Sequence, residues 1–103
     1  MNQRSFPRLH VNAETMITTP DGIFTGRVEN ISLGGVFVRI HDRVGVGDKI
    51  DIAISVPGGS MTDFIVAKGI AVRSEERGVA FKFCNIDHNT FCDLLSFMDC
   101  ASA

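Results

Sequence analysis

Six segments with the residue preferences of β-strands occupy most of this 103-residue chain, and they constrain its fold more than any other feature. They are rich in Val, Ile, Thr and Phe, and the breaks between them contain the Gly, Pro, Asp and Ser residues that favour turns. The segments cover residues 9–18, 23–31, 36–40, 49–56, 62–73 and 79–83. Short strands at this spacing are typical of all-β proteins, so the pattern predicts a small antiparallel barrel or sandwich.

Alternation of apolar and polar residues identifies the faces of these strands. The segment 49–56 alternates most cleanly and has four aliphatic residues on one face: Ile50, Ile52, Ile54 and Val56. The first segment is less regular, because its apolar series changes phase: Leu9, Val11 and Ala13, then Met16 and Thr18. We therefore expect a strand here with a bulge near residues 14–15.

The chain ends with a change from strand to helix periodicity. Apolar residues recur there at i, i+3, i+4 and i+7, which is one face of a helix: Phe91, Leu94, Leu95 and Met98. Asp87 precedes them and is a suitable N-cap. The pattern predicts a C-terminal helix over about residues 87–100, whose apolar face closes one end of the sheet or barrel.

The composition indicates a single globular domain. Apolar residues make up 45% of the chain and charged residues 21%, which suits a packed core. The sequence contains neither an apolar run long enough to span a membrane nor the apolar region of a signal peptide. Its three cysteines are an odd number, which fits a reducing compartment. We therefore expect a cytoplasmic protein without membrane insertion.

The first eight residues carry two arginines, Arg4 and Arg8, with Pro7 just before the second. Proline disfavours the helical conformation at the residue before it, so this arm is expected to be extended. Arginine suits bidentate recognition of phosphate and of the guanine edge. Because the formal net charge is −2, a small anionic ligand is favoured over a nucleic-acid polymer. A solvated basic tail is the alternative reading of these residues alone.

A second polar motif, Asn30-Ile31-Ser32-Leu33-Gly34-Gly35, connects the second and third strand segments. Asn30 offers an amide donor and a carbonyl acceptor, and Ser32 points to the same side if the backbone stays extended. Gly35 removes side-chain bulk, so a flat ligand could approach the backbone closely. The alternative is a turn in which these polar side chains bond their own backbone.

Taken together and in this order, the two motifs resemble the signature of the PilZ domain family. That signature is Arg-x-x-x-Arg on an N-terminal arm, followed by Asp/Asn-x-Ser-x-x-Gly between strands, and Arg4, Arg8, Asn30, Ser32 and Gly35 match it. Two later stretches also resemble the family's strands: residues 46–57, which begin Val-Gly-Asp and end in proline, and residues 77–81, Arg-Gly-Val-Ala-Phe. The resemblance covers nearly the whole chain.

The resemblance implies a fold, a ligand and roles for the motif residues. The fold would be a six-stranded antiparallel β-barrel with a C-terminal helix, with residues 1–8 as a flexible arm and residues 9–103 as the barrel domain. The ligand would be cyclic di-GMP, a bacterial second messenger. Arg4 and Arg8 would bind its phosphates and guanines, Asn30 and Ser32 would hydrogen-bond it, and Gly35 would leave room for it.

The resemblance also implies that the protein is a receptor and not an enzyme. Ligand binding would order the arm and signal to an effector protein, with no cofactor, no metal and no nucleic-acid polymer involved. The sequence likewise lacks the catalytic motifs of serine hydrolases and zinc proteases. Because the family often has Asp where this chain has Asn30, and an amide accepts more weakly from guanine N–H groups than a carboxylate does, we expect weaker binding than with Asp.

Three other interpretations of the sequence predict different functions. A PilZ-like domain can act as a protein-interaction module without binding nucleotide, although this chain retains both arginines. A barrel that binds single-stranded nucleic acid would use exposed aromatic residues and broad positive charge, and this chain has no Trp or Tyr. Residues Cys84, His88 and Cys92 have a spacing that could ligate a metal ion, but buried thiols are the commoner reading.

Overall fold

The computed structural model describes residues 9–41, 44–55, 64–84 and 86–102, with the backbone alone described for residues 9–11 and 98–102. It contains six strands followed by one helix: β1 (Leu9–Thr19), β2 (Gly22–Ile31), β3 (Gly35–Arg39), β4 (Lys49–Ser55), β5 (Phe64–Glu75), β6 (Gly78–Cys84) and α1 (His88–Ser102). The predicted strand ends at residues 56 and 62 lie outside the described residues. Elsewhere each strand lies within about two residues of its predicted position.

The six strands form a closed antiparallel barrel in the order β1-β2-β3-β6-β5-β4. Closure depends on β1, which pairs with β2 along most of its length and with β4 over residues 15–18. Because both edges of the sheet are joined in this way, no edge strand is left with unpaired backbone groups among the described strands. The predicted six-stranded antiparallel barrel with a C-terminal helix is therefore confirmed.

The interior of the barrel is filled by aliphatic and aromatic side chains from every strand. Ile50, Ile52 and Ile54 are all at least 96% buried, since their exposed fractions are 4%, 0% and 0%. They face the interior as their alternation predicts, while Asp51 on the opposite face is exposed to solvent. Burial of such aliphatic side chains stabilises a fold by about 1.5–3 kcal/mol each.

The phase predicted for β1 is wrong in its second half. The bulge lies between His10 and Ala13, which is earlier than residues 14–15, and from there the alternation is regular. Thr15 and Ile17 consequently point inward, whereas Met16 is 44% exposed. The buried hydroxyl of Thr15 donates a hydrogen bond of 2.8 Å to the carbonyl oxygen of Ala53 on β4, so a polar residue is tolerated inside.

Helix α1 begins after Asp87, whose carboxylate Oδ1 accepts a 2.8 Å hydrogen bond from the backbone N–H of Thr90. The predicted N-cap is confirmed, and this bond from Thr90 lowers the pKa of Asp87 below its usual value. The helix packs against β1 and β5. In the described part of the chain, no helix has the length and hydropathy needed to cross a bilayer.

The apolar face of α1 is rotated from the predicted one. Leu94 and Phe97 are the buried residues, with exposed fractions of 0% and 1%. Phe91 and Leu95 were expected to share that face, but they are 37% and 45% exposed. The side chain of Met98 lies outside the described part of the structure. Spacing alone did not distinguish these faces because Phe97 also falls three residues after Leu94.

Candidate ligand-binding site

A β-bulge in β2 determines how the polar motif is presented. Val28 pairs with Val38 and Asn30 pairs with Phe37, so Glu29 is an extra residue between two consecutive pairs with β3. Val28 and Ile31 are both buried in the barrel interior. Because strand residues normally alternate between faces, the extra residue allows Ile31 to face inward while Glu29 and Asn30 both remain on the outer surface.

The turn from β2 to β3 holds the rest of the motif. The backbone N–H of Ser32 donates to the carbonyl oxygen of Gly35 at 2.8 Å, and the Ser32 hydroxyl accepts from the N–H of Gly34 at 3.2 Å. The carbonyl of Gly34 in turn accepts from the N–H of Phe83 on β6 at 3.0 Å. Ser32 is only 8% exposed. Its hydroxyl bonds the backbone of its own turn, which is the alternative interpretation of this motif given by the sequence. Asn30 is half-buried and interacts with other groups of the protein.

Gly35 has a structural reason to be glycine. A Cβ atom built at this position would collide with the carbonyl oxygen of Phe81 on β6, the strand that pairs with β3 at this point. Backbone atoms cannot move aside as a flexible side chain can, so a larger residue here would push β3 and β6 apart. The backbone of Gly35 does not adopt a positive φ, so close packing of these two strands accounts for the glycine here.

Phe37 lies outside the barrel core, beside Asn30, and is itself covered from solvent. It is 3% exposed although its neighbours Val36 and Val38 are the residues that enter the barrel core. The guanidinium carbon of Arg77, in the β5–β6 turn, lies 5.1 Å from the centre of the Phe37 ring, which is a cation–π distance. Asn30, Phe37 and Arg77 therefore lie together on one outer patch of the barrel.

Glu29 is the anionic centre of this patch. Its carboxylate lies 2.9 Å from Nη2 of Arg77 and 4.0 Å from Nε of Arg39, and its side chain is 22% exposed. On the side of β1, Arg27 lies 4.0 Å from Glu14 and donates a 3.0 Å hydrogen bond to the Asn12 side chain. Several of these residues line a surface depression of about 550 Å³: Asn12, Glu14, Arg27, Glu29, Arg39 and His41. The outer surface next to Asn30 thus carries arginines whose charges are matched by carboxylates.

The structure brings the predicted barrel residues Asn30, Ser32 and Gly35 together in one turn and its flanking strand ends. Arg4 and Arg8 lie outside the described residues, so their predicted roles remain predictions. Strand β1 begins at Leu9, which pairs with Ile31 of β2. The arm is therefore joined to the barrel directly beside the polar motif.

The possible metal site has two of its three residues close together. Sγ of Cys92 lies 3.6 Å from Nε2 of His88, one helical turn away on α1. Cys84 instead lies near the carbonyl of Lys82, with its sulfur 3.7 Å from that oxygen. Among the described residues, no group of three His, Cys, Asp or Glu side chains is arranged to hold a metal ion.

Comparison with known protein families identifies the domain. The PilZ domain profile matches residues 2–98, which is nearly the entire chain. The chain belongs to the PilZ domain family. The match includes the arm with both arginines as well as the barrel and most of α1. A search of curated proteins found no sequence match.

Solved PilZ structures share this fold at low sequence identity. The PilZ domain of YcgR from Escherichia coli, solved with c-di-GMP, has a TM-score of 0.83 at 11% identity, with 98% of this chain and 92% of that chain covered. The PilZ domain of CeSA from a cellulose-synthesising bacterium has a TM-score of 0.76 at 15% identity, with 94% and 99% covered. At these identities the likeness establishes the fold.

A longer protein also contains this fold. The inhibitor of motility MotI/DgrA from Bacillus subtilis has a TM-score of 0.79 at 18% identity, and the match covers 99% of this PilZ chain. It covers only 52% of the MotI/DgrA chain, so this chain spans about half the length of that protein.

The grouping of Glu29, Phe37 and Arg77 around Asn30 was not predicted from the sequence. One feature of the sequence could have indicated it. Alternation in the third strand segment places Val36 and Val38 on the inward face, so Phe37 lies on the opposite face. A large aromatic residue on the outer face, opposite a motif residue, indicates a candidate binding surface. The approach of Arg77 could not be read in the same way, because it depends on the register between β3 and β6.

Proposed function

We propose that this PilZ domain is a receptor for cyclic di-GMP, which binds between the N-terminal arm and the outer surface around Asn30. Family membership supports the class of ligand, and the YcgR PilZ domain has been solved with c-di-GMP. The match to the family signature at Arg4, Arg8, Asn30, Ser32 and Gly35 supports the site. On this proposal the domain binds the ligand without changing it chemically, and it requires no cofactor.

The observation that carries the proposal is the pairing of Leu9 with Ile31 at the start of β1. Covalent geometry then keeps the α-carbon of Arg8 about 3.8 Å from that of Leu9. Arg4 is five residues from Leu9, so its α-carbon is within about 18 Å even if the chain is fully extended. Both arginine side chains can consequently reach a ligand that rests on the turn from residue 30 to residue 35.

The chemistry of these residues fits a molecule with two phosphodiester groups and two guanines. The guanidinium groups of Arg4 and Arg8 can bind phosphate oxygens in pairs, and they can also stack on guanine rings or bond the O6/N7 edge. The amide of Asn30 can both donate and accept, which suits the edge of a base. The neutral amide also avoids adding a second carboxylate beside Glu29 near the ligand phosphates.

Ordering of the arm would couple binding to a partner. Fixing the backbone costs about 1–2 kcal/mol per residue, and charge-assisted hydrogen bonds from the two arginines offset this cost when the ligand is present. An arm drawn onto the barrel exposes or covers a different surface, which an effector protein can recognise. On this proposal the domain works in the cytoplasm as an adaptor, with neither catalysis nor membrane insertion.

Isothermal titration calorimetry with cyclic di-GMP tests the proposal and gives the stoichiometry. We expect the wild-type domain to bind, and Arg8→Ala and Arg4→Ala each to lose at least tenfold in affinity. Lys68→Ala is the control, because it removes the same unit charge from an exposed pair with Asp51 on the far side of the barrel. Equal affinity for the wild type and Arg8→Ala would contradict the proposed role of the arm.

The alternative function, a protein-interaction module that does not bind nucleotide, is favoured by one feature of the barrel. Met16 on β1 pairs with Ala53 on β4, which pairs with Val66 on β5, and Met16 and Val66 are 44% and 62% exposed. Phe64, two residues before Val66, is 48% exposed on the same outer face. If the titration gives no binding for the wild type, this apolar strip becomes the leading surface for function.

A further inference from the structure

We infer that Arg77 is a third ligand-binding arginine of the cyclic di-GMP site and that Glu29 holds it in place until the ligand arrives. The inference rests on the proposed function. It adds Arg77 as a ligand-binding residue and the Glu29 carboxylate as a group that competes with the ligand for Arg77. It concerns the outer patch formed by Glu29, Asn30, Phe37 and Arg77, of which only Asn30 belongs to the family signature.

The position of Arg77 is determined by the strands on either side of its turn. Gly78, the next residue, starts β6 and is buried against β3, where a Cβ atom would collide with the carbonyl of Val38 and come within 3.0 Å of the Phe37 ring. Only glycine permits this close approach, so the turn is held directly over Phe37. Arg77 therefore lies at the edge of the Asn30 surface as a consequence of backbone packing.

The contacts of Arg77 leave its charge available to a ligand. Its side chain is 62% exposed, and it is held on the protein by Glu29 at 2.9 Å and by the Phe37 ring at 5.1 Å. Glu29 precedes Asn30 in the chain, so Arg77 reaches the immediate neighbour of a motif residue. Because the Arg77 side of this ion pair is open to solvent, a phosphate with two unshared oxygens can replace the carboxylate.

Glu29 acts on binding in the opposite sense. Its carboxylate repels the ligand phosphates and competes with them for Arg77, and it lies beside Asn30 because the bulge keeps both residues outside. When a phosphate arrives, Arg77 can exchange one anionic partner for another without leaving the Phe37 ring. Removing the charge of Glu29 should consequently tighten binding, whereas removing the charge of Arg77 should weaken it.

Calorimetry with cyclic di-GMP on four single variants and one double variant tests this inference. Arg77→Gln keeps a polar stem over Phe37 and should weaken binding about tenfold. Glu29→Gln should tighten binding about threefold or more. The gain from Glu29→Gln should shrink when it is combined with Arg77→Gln, because part of it arises through the release of Arg77.

The matched controls are Lys68→Gln and Asp51→Asn. They make the same charge changes in an exposed ion pair of 3.1 Å between β4 and β5, on the opposite wall of the barrel. We expect both controls to change affinity less than twofold, which would separate a local effect from a change in net charge. Thermal unfolding of each variant verifies that the barrel is intact.

The possible outcomes separate this inference from the proposed function. Wild-type binding with unchanged affinity in Arg77→Gln overturns the inference and leaves the receptor function standing. Weaker binding in Glu29→Gln also overturns it, because Glu29 would then be an acceptor for the ligand's guanine N–H groups. Absence of binding by the wild type overturns both.

Discussion

Asn30 and Phe37 lie directly opposite each other across the β2–β3 ladder, immediately after the bulge at Glu29. In antiparallel strands, side chains in such positions are about 5 Å apart, so the amide lies beside an aromatic ring. The guanidinium group of Arg77 lies over the same ring. A ligand that contacts Asn30 therefore meets the exposed positive charge of Arg77 within one small area, and this arrangement underlies the predictions on binding.

Replacing Asn30 with aspartate should tighten cyclic di-GMP binding. A carboxylate accepts hydrogen bonds from guanine N–H groups about twice as strongly as a neutral amide. We expect this gain to exceed the added repulsion of the ligand phosphates and to raise affinity about threefold to tenfold. Calorimetry measures the change. Asn12→Asp is the control because it adds the same charge to a nearby exposed residue whose side chain accepts from Arg27. Tighter binding in both variants, or in neither, would contradict a specific role for residue 30.

Replacing Gly35 with alanine should destabilise the barrel. The added methyl group would meet the carbonyl of Phe81, and overpacking of this kind costs about 1–3 kcal/mol. Urea unfolding measures the loss in the free energy of unfolding. Gly45→Ala is the control, because its new methyl group would meet the movable carboxylate of Asp48, and we expect a change of about 0.5 kcal/mol or less. A Gly35→Ala variant as stable as the wild type would show that β3 and β6 can separate at little cost.

Two adjacent leucines of α1 should differ widely in their contribution to stability. Leu94 is fully buried, and its replacement by alanine should lower the free energy of unfolding by about 2–5 kcal/mol. Leu95 is 45% exposed, and the same replacement should cost about 1 kcal/mol or less. Urea unfolding of the two variants compares them directly. Equal losses would indicate that α1 packs on the barrel with a different face.

Asp87 should make stability depend on pH through its cap on α1. Its pKa is lowered in the folded state by the hydrogen bond from Thr90, so its contribution is fully present above the unfolded-state value of 3.8 and is lost as pH falls through the folded-state value. At neutral pH, Asp87→Ala should lower the midpoint of thermal unfolding by a few degrees, and Asp87→Asn should keep most of the cap. Thermal unfolding from pH 7 to pH 2 measures both effects.

The comparison of wild type with Asp87→Asn isolates this carboxylate from the others that titrate in acid. The wild type should lose its advantage over Asp87→Ala below pH 3.8, while Asp87→Asn keeps it throughout. A difference between wild type and Asp87→Ala that does not change with pH would show that the charged form of Asp87 is not required for the cap.

The architecture of the barrel was predictable because it depends on local pattern. Alternation in Ile50, Ile52 and Ile54 fixed the inward face of β4, and the change of period after Asp87 marked the start of α1. Such signals are carried by residues that are close together in the sequence. The motif residues Asn30, Ser32 and Gly35 were found in the same way, from their spacing and their place between two strands.

The features that were missed depend on contacts between distant segments. Met16 was assigned to the apolar face because hydrophobicity alone does not locate a bulge. The irregularity lies between His10 and Ala13, after which Ala13, Thr15 and Ile17 share the inward face. Phe97 and Leu95 are both apolar neighbours of Leu94 on a helix, and only the position of the barrel decides which is covered. The contact of Arg77 with Glu29 likewise joins the β5–β6 turn to strand β2, which lie far apart in the sequence.

The single inserted residue at position 29 gives one strand two adjacent outward side chains, which a regular pleat would never allow. A carboxylate and an amide thereby share the space that one residue normally occupies opposite Phe37. Mutation can adjust the repulsive and attractive parts of this surface separately, since neither side chain enters the interior. On the proposed function, the ligand concentration to which the domain responds could therefore be reset over evolution by changes at position 29 alone, with the barrel left intact.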